Sequence, residues 1–327
     1  MYSDIRFSSS KSKYRKLCCV EPTIPIFSRD WWLDAVCGDA WDVCLIEKGG
    51  RTVGSMPFYM KKRFGLTLLS QPPLTQTLGP WLRPSEAKYS KRLGQEKTSL
   101  TDLIDQLPRY DHFLQNWNHV NTNWLPFYWR GFSQTTRYTY RLPNISDLDA
   151  VWSGFRENIR REIRKASGRF NLRVRIDCSI DDFLALNAQT FERQNRKLPY
   201  SAEFVHELDR ACIAHNARRI FIAEDDQGRH HAGVYIVWDE QNAYYLMGGG
   251  DPKLRGSGAT SLCIWESIKF ASTVTKSFDF EGSMLESIER YFRSFGAIQT
   301  PFFSVTRTPS RMARFGKSFA ELLRDKS

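Results

Sequence analysis

Long apolar runs are absent from this 327-residue sequence. None approaches the about 20 consecutive apolar residues that a membrane-spanning helix requires, so no integral membrane association is expected. No apolar stretch stands before Arg15 and Lys16, and a secretory signal peptide is not expected either. Cysteine is present but unpatterned: seven residues, an odd number, with no CxxC pair. Cys18 and Cys19 adjoin, while Cys37, Cys44, Cys178, Cys212 and Cys263 lie inside apolar segments. Reduced, mostly buried thiols of a cytoplasmic protein fit this usage; a disulfide framework or a zinc site does not. The six histidines show no metal-ligand spacing, and His230-His231 fall at a hairpin turn, so no metal is expected. Acidic residues are also short, 36 against 47 lysines and arginines, which leaves a formal charge of +11 spread over both halves. Such a field favours anionic partners such as CoA, a nucleotide sugar, tRNA or an anionic membrane face, without choosing among them.

What is there is apolar and aromatic: 41% hydrophobic residues and 14% aromatic, enough for large cores. The length exceeds what one core usually serves, so two domains are expected. Residues 1–20 are polar, Ser-rich and basic and read as loosely ordered. A first α/β region over 21–146 follows. It opens with a helix from Phe27 to Val36 capped by Ser28, then strands over 42–47 and 52–60 joined at Gly49-Gly50. The Pro- and Thr-rich stretch Gln71 to Pro80 is a loop, Thr101 to Leu107 a short helix, and 113–117 and 135–142 are strands. Pro143-Asn-Ile-Ser146 marks the boundary.

The second half, 147–327, alternates more cleanly. A basic helix over 148–166 and a strand over 172–176 precede helices at 180–195 and 202–215. Strands over 219–224, 232–238 and 243–248 form a meander, and a Gly-rich loop leads into a helix over 259–271. A strand over 277–281, a helix over 287–295, a strand over 301–305 and an amphipathic helix over 310–324, with Met312, Phe315, Phe319, Leu322 and Leu323 on one side, close the chain. The pattern predicts α/β architecture with mixed strand directions.

The loop before the long helix carries the most information. Arg255, Gly256, Gly258 and Ala259 stand between a strand and the first turn of an apolar helix. Free N–H groups at a helix start attract phosphate, glycine permits close approach, and Arg255 offers a bidentate contact. A plain hairpin-to-helix connector is the competing reading. Asp279 and Glu281, two apart on the expected strand, would face one side, where like charge raises one pKa toward that of a general base. Pairing of Asp279 with a cation of the basic helix is the structural alternative. That helix holds Arg156, Arg160, Arg161, Arg164, Lys165 and Arg169, which read either as an anion- or tRNA-facing surface or as a solvated, ion-paired face. Trp117, Tyr128 and neighbouring tryptophans are candidates to stack on an acceptor sugar, or else core.

Arg255-Gly-Ser-Gly-Ala-Thr260, the long helix, Phe278-Asp-Phe-Glu-Gly-Ser283 and Ile288-Glu-Arg-Tyr-Phe-Arg-Ser-Phe-Gly296 together resemble the second domain of FemAB-type and BioF2-like GNAT acyltransferases. The meander ending Tyr244-Tyr-Leu-Met-Gly-Gly249 and the basic helix are similar to theirs as well. The resemblance covers about residues 150–305 and extends more faintly over 25–142, implying two tandem GNAT-like domains. It implies that Arg255, Gly256, Gly258 and Ala259 hold the pyrophosphate of acyl-CoA, with acetyl-CoA the expected donor. The FemAB branch instead takes an amino acid from aminoacyl-tRNA to a peptidoglycan precursor. Both reactions need an amine deprotonated, the role implied for Glu281 or Asp279. One departure stands out: the FemAB-type lysine falls on Phe292, as does the tyrosine that protonates a leaving thiolate. Tyr291 and Arg293 are the adjacent candidates for a leaving-group acid and a substrate contact.

The expected function is therefore transfer of an acyl group from acyl-CoA to an amine of a sugar or cell-envelope precursor. Gln71, Trp117 and Tyr128 of the first half are expected on the acceptor side. Aminoacyl-tRNA-dependent transfer is the alternative, and a non-catalytic basic binding protein on the same scaffold is the third reading.

Overall fold

A computed structural model describes residues 8–282, 284–310 and 312–314. The chain divides into two compact units, residues 1–137 with 301–327 and residues 138–300. The sequence expectation put the boundary near 146; the strand that begins before it carries the chain across at residues 137–138, and the segment from Pro301 returns to the first unit.

In the first unit, helix α1 (Ser8–Val20) precedes α2 (Asp30–Cys37), β1 (Trp41–Lys48), β2 (Arg51–Arg63), β3 (Leu66–Ser70) and β4 (Trp81–Leu82). Helix α3 (Tyr89–Asp105), β5 (His112–Asn116) and α4 (Leu125–Trp129) follow. Strand order is β1-β2-β3-β5, with β5 also pairing the last strand of the chain and β4 pairing β2. All these pairs are antiparallel except β3 with β5. Residues 8–20 are not loosely ordered, as their polar composition implied. Tyr14, Leu17 and Cys18 recur at helical spacing and are buried, and the Tyr14 hydroxyl donates to the Ser28 carbonyl at 2.6 Å. The Arg15 guanidinium grips Asp34 with two bonds, of 2.6 and 2.9 Å. Ser28 is not a helix cap: it ends a short 3₁₀ turn, and α2 starts at Asp30 behind Arg29.

The second unit begins inside β6 (Ser133–Leu142) and continues with α5 (Leu148–Gly154), α6 (Glu157–Gly168), β7 (Arg173–Arg175), α7 (Ile180–Arg193) and α8 (Ala202–Ala214). The meander β8 (Arg218–Glu224), β9 (His230–Trp238) and β10 (Asn242–Gly250) is followed by a 3₁₀ segment, Pro252–Ser257, and α9 (Ala259–Ala271). Strand β11 (Ser277–Asp279), α10 (Glu286–Arg293) and β12 (Ile298–Arg307) complete the order. The sheet runs β6-β11-β10-β9-β8-β7, antiparallel but for β10 with β11. Side-chain caps start three of this unit's helices: Asp147 caps α5, Ser179 and Asp182 form a reciprocal capping box on α7, and Ser201 caps α8. The single basic helix expected over 148–166 is two helices. Phe155 and Arg156 are extended because the Phe155 ring turns into the core against Trp265 and Phe295. Burial of such an aromatic side chain contributes about 1.5–3 kcal/mol, more than one lost helical hydrogen bond.

Of the expected closing helix, only residues 310 and 312–314 are described; Phe315, Phe319, Leu322 and Leu323 lie outside the described residues. Among the described residues no helix is long and apolar enough to cross a membrane, and no group of side chains could hold a metal ion.

Candidate functional site

The β10–β11 pair is where the second unit departs from a regular sheet. The parallel register runs Asn242↔Ser277, Ala243↔Phe278, Tyr244↔Asp279 and stops there, while β10 continues to Gly250. A register shift between Tyr245 and Met247 against β9 adds a bulge at the same level. The two strands therefore part just beyond Asp279.

Asp279 is fixed at that point from several sides. Its Oδ1 accepts from the Thr139 hydroxyl and, at 2.8 Å, from the Glu281 N–H. Its Oδ2 lies 3.5 Å from Arg141 Nε. The Arg141 guanidinium also donates to Asn242 Oδ1 at 2.6 Å and to the Ser277 hydroxyl at 3.1 Å. The partner of Asp279 is thus Arg141 on the neighbouring strand, not a cation of the basic helix. Burial outweighs these favourable contacts and raises the Asp279 carboxyl to about 6.

Glu281 does not continue the strand, so the expectation that alternation places both carboxyls on one face is wrong. The strand ends at Asp279, and Glu281 takes φ +53°, a left-handed conformation that costs a β-carbon-bearing residue about 1–2 kcal/mol. Gly282 follows at φ +28°, where a Cβ would collide with the Tyr138 carbonyl and the Thr139 backbone. This backbone turn, rather than strand alternation, brings the two carboxyls into electrostatic contact. Burial first, and the Asp279 charge second, raise the Glu281 carboxyl well above its ordinary range. Both groups bind protons more tightly in the folded chain. Their contribution to stability is present at acidic pH and, for Asp279, lost as pH rises through about 6.

The loop before α9 is built against α6. Gly258 takes φ +82°, and a Cβ there would strike the Glu162 carbonyl, so glycine is required by both conformation and packing. Gly256 has open space around it, and its carbonyl accepts from Lys165 Nζ. Arg255 is exposed and, among the described residues, has no ion pair. Ala259 opens a 13-residue helix whose Leu262, Cys263, Ile264, Ile268 and Ala271 are buried. Within the first turn, the Ser261 hydroxyl donates to Glu162 Oε2 at 2.6 Å and lies 2.9 Å from the Tyr291 hydroxyl. Tyr291 packs on Phe295 at 5.3 Å between ring centroids, and burial raises its pKa far above the usual phenol. It therefore stays a neutral O–H donor at any working pH.

The remaining predicted residues separate. Trp117 is fully buried against Phe127, with ring centroids 4.6 Å apart, so it is core and not a sugar platform. Gln71 is spent on its own loop: its amide donates to the Thr75 carbonyl at 2.7 Å and accepts from the Asn116 N–H at 3.0 Å. Arg293 pairs with Glu289 at 2.7 Å on its own helix. Tyr128 is exposed, with Trp124 5.5 Å from its ring. The loop to which Gln71 belongs does line a cavity of about 290 Å³, through Leu78, Gly79 and Pro80. Polar groups there come from Thr23, Glu96, Asn118 and Asn123. Sequence reasoning missed Arg141, Thr139 and the Glu162–Ser261–Tyr291 chain, which only the fold brings together. The Glu281-Gly282 dipeptide after a short strand was a turn signal that went unread.

Residues 153–293 match the family model of the acetyltransferase (GNAT) domain. A search of curated proteins finds no match. Among solved structures, the chain is similar to FemX, at 13% identity and a TM-score of 0.68, over 90% of this chain and 95% of that one. It is also similar to the C-terminal domain of a proposed lysylphosphatidylglycerol synthetase from Agrobacterium fabrum, at 11% identity and a TM-score of 0.59, over 96% and 98%. A tandem GNAT protein from the clavulanic acid biosynthesis pathway aligns at 11% identity and a TM-score of 0.52, over 92% and 96%. Identities this low speak for the fold alone, a mixed α/β fold like that of FemX, and the match to the acetyltransferase (GNAT) domain model is confined to residues 153–293.

Proposed function

We propose, for a chain that carries a GNAT-type acetyltransferase domain over residues 153–293, that it moves an acyl group from acyl-CoA to an amine of an amino sugar or cell-envelope precursor. The observation that carries this reading is Glu281: half-buried with one carboxylate oxygen out of solvent, strained, raised in pKa, and set just beyond the point where β10 and β11 part. Its ionised form takes the proton of the acceptor amine as nitrogen attacks the thioester carbonyl. The C–N bond forms, the C–S bond breaks, and the sulfur leaves as a thiolate that takes its proton from water; Tyr291, held neutral by burial, can offer it a hydrogen bond but not its proton. Asp279 does not touch the reacting atoms in this scheme; it orients the Glu281 N–H and sets its proton affinity. The first turn of α9, with Arg255, Gly256, Gly258 and Ala259, receives the donor's pyrophosphate. Within the first unit, the cavity beside Gly79 and Pro80 offers amides and the Glu96 carboxylate to hydroxyl and amine groups.

A second reading, aminoacyl-tRNA as donor, draws support from α6. Arg161 on the helix that covers the loop and Arg169 at its C-cap are exposed cations beyond Arg255 and Lys165, more than a pyrophosphate needs, although Arg164 is already paired with Glu157 at 3.1 Å. Thermal shift with acetyl-CoA, longer acyl-CoAs and tRNA separates the two. A donor present at a hundred times its Kd stabilises the native state by about 2.7 kcal/mol. A rise with acyl-CoA alone is expected, a rise with tRNA alone selects the second reading, and no rise with either leaves a binding protein without this chemistry.

A further inference from the structure

The β2–β3 hairpin ends in a turn that its own fold does not explain. Residues Phe64 and Gly65 join Arg63 to Leu66, which are register partners, and both have positive φ, +50° and +76°. That is the geometry of a two-residue hairpin turn whose first position normally takes asparagine, aspartate or glycine. Phenylalanine there is strained, yet its ring is 86% exposed and supports no core. The hairpin also outruns its neighbours: β1 pairs with β2 only as far as Tyr59, and β5 pairs with β3 only from Leu68.

Cross-strand partners share a face, so Tyr59, Lys61, Arg63, Leu66 and Leu68 lie together on one side of the hairpin. Lys61 and Arg63 are exposed and the two leucines are only half-buried. The Arg63 guanidinium sits 5.2 Å from the Phe64 ring centroid, and Lys61 Nζ 5.5 Å from that of Tyr59. Lys62 adds a third consecutive cation on the other face.

We propose that this hairpin tip docks the protein on an anionic phospholipid surface, with Phe64 entering the acyl boundary and Lys61, Lys62 and Arg63 meeting headgroup phosphates. Aromatic and aliphatic groups rimmed by lysine and arginine are the composition of interfacial membrane contacts, and the long basic stems reach back to the headgroups. A nucleic acid fits less well: Arg63 already lies over the Phe64 ring, and Leu66 and Leu68 offer bases neither stacking faces nor hydrogen bonds. The net charge of +11 adds attraction of the same sign.

The test is co-sedimentation of the full chain with phosphatidylcholine vesicles, with and without phosphatidylglycerol, and a parallel tRNA retention assay. Wild type is expected to bind the phosphatidylglycerol vesicles selectively. Phe64→Asn, which installs the residue this turn prefers, should keep or raise the melting temperature while vesicle affinity falls several-fold. The double variant Lys61→Gln/Arg63→Gln should weaken binding by about fivefold per cation removed. Vesicle binding that is absent, indifferent to phosphatidylglycerol, or unchanged in both variants overturns the proposal. Loss of tRNA retention in the same variants, without vesicle binding by wild type, would make the tip a nucleic-acid contact instead.

Discussion

The two units run through the same sequence of elements and fill it differently. In each, an antiparallel hairpin (β2–β3, β9–β10) leads through a loop to a long helix (α3, α9) and then to a strand parallel to the hairpin's second member (β5, β11). In the second unit the loop is short, ends in Gly258 and seats against α6, and the parallel strand ends at Asp279, with the strained Glu281 in the turn two residues on. In the first, the loop spans residues 71–88, is tied by Gln71 and lines a cavity, and the parallel strand runs into the buried Trp117. A shared scaffold thus places titratable groups at one strand end and a packed aromatic at the other. Chemistry follows the residues at the strand end and not the fold that supplies it.

The sharpest way to break this comparison is Glu281→Gln. The amide keeps shape but cannot take a proton, so the rate of transfer should fall by about two to four orders of magnitude while donor affinity holds. Steady-state rates beside a donor titration decide it. The corresponding change in the first unit, Trp117→Ala, should cost about 3–5 kcal/mol of stability by opening a cavity, read from denaturant unfolding. Any acceptor effect should follow from that loss.

How much of this was legible in the sequence depends on the kind of signal. The run from β10 through α9 was readable because glycines and an uninterrupted apolar helix punctuate it; the helix begins at Ala259 and ends at Ala271 as read. The conformation of Glu281 was not, because strand alternation was carried past the point where β11 stops. Trp117 read equally as platform or core, since one tryptophan among polar neighbours has no periodicity to place it. Helix α1 was masked by serines and lysines although Tyr14, Leu17 and Cys18 already had helical spacing. Arg141 could not be assigned to Asp279 because their strands are neighbours only through the sheet order.

Smaller effects sharpen the contrast within the second unit. Arg255→Ala should weaken donor binding by about 1.5–3 kcal/mol, the value of a charge-assisted contact, measured by calorimetry. Its melting point should hardly move, since exposed substitutions stay within about ±0.5 kcal/mol. Glu281→Asn should raise stability by about 1 kcal/mol, because asparagine tolerates the left-handed backbone and the desolvated Glu281 carboxyl beside Asp279 is removed. That gain should come with loss of turnover, the mark of strain held for function.

The central claim, that Glu281 is the proton acceptor, is tested most directly by the pH dependence of kcat/KM with whichever donor raises the melting point. Wild type should gain rate with rising pH through an inflection above the ordinary carboxylate range, because the raised carboxyl must first lose its proton. The inflection should vanish in Glu281→Gln, leaving a low, flat profile. The same inflection and a near-wild-type rate in Glu281→Gln would contradict the account and move the base to Asp279 or to a bound water.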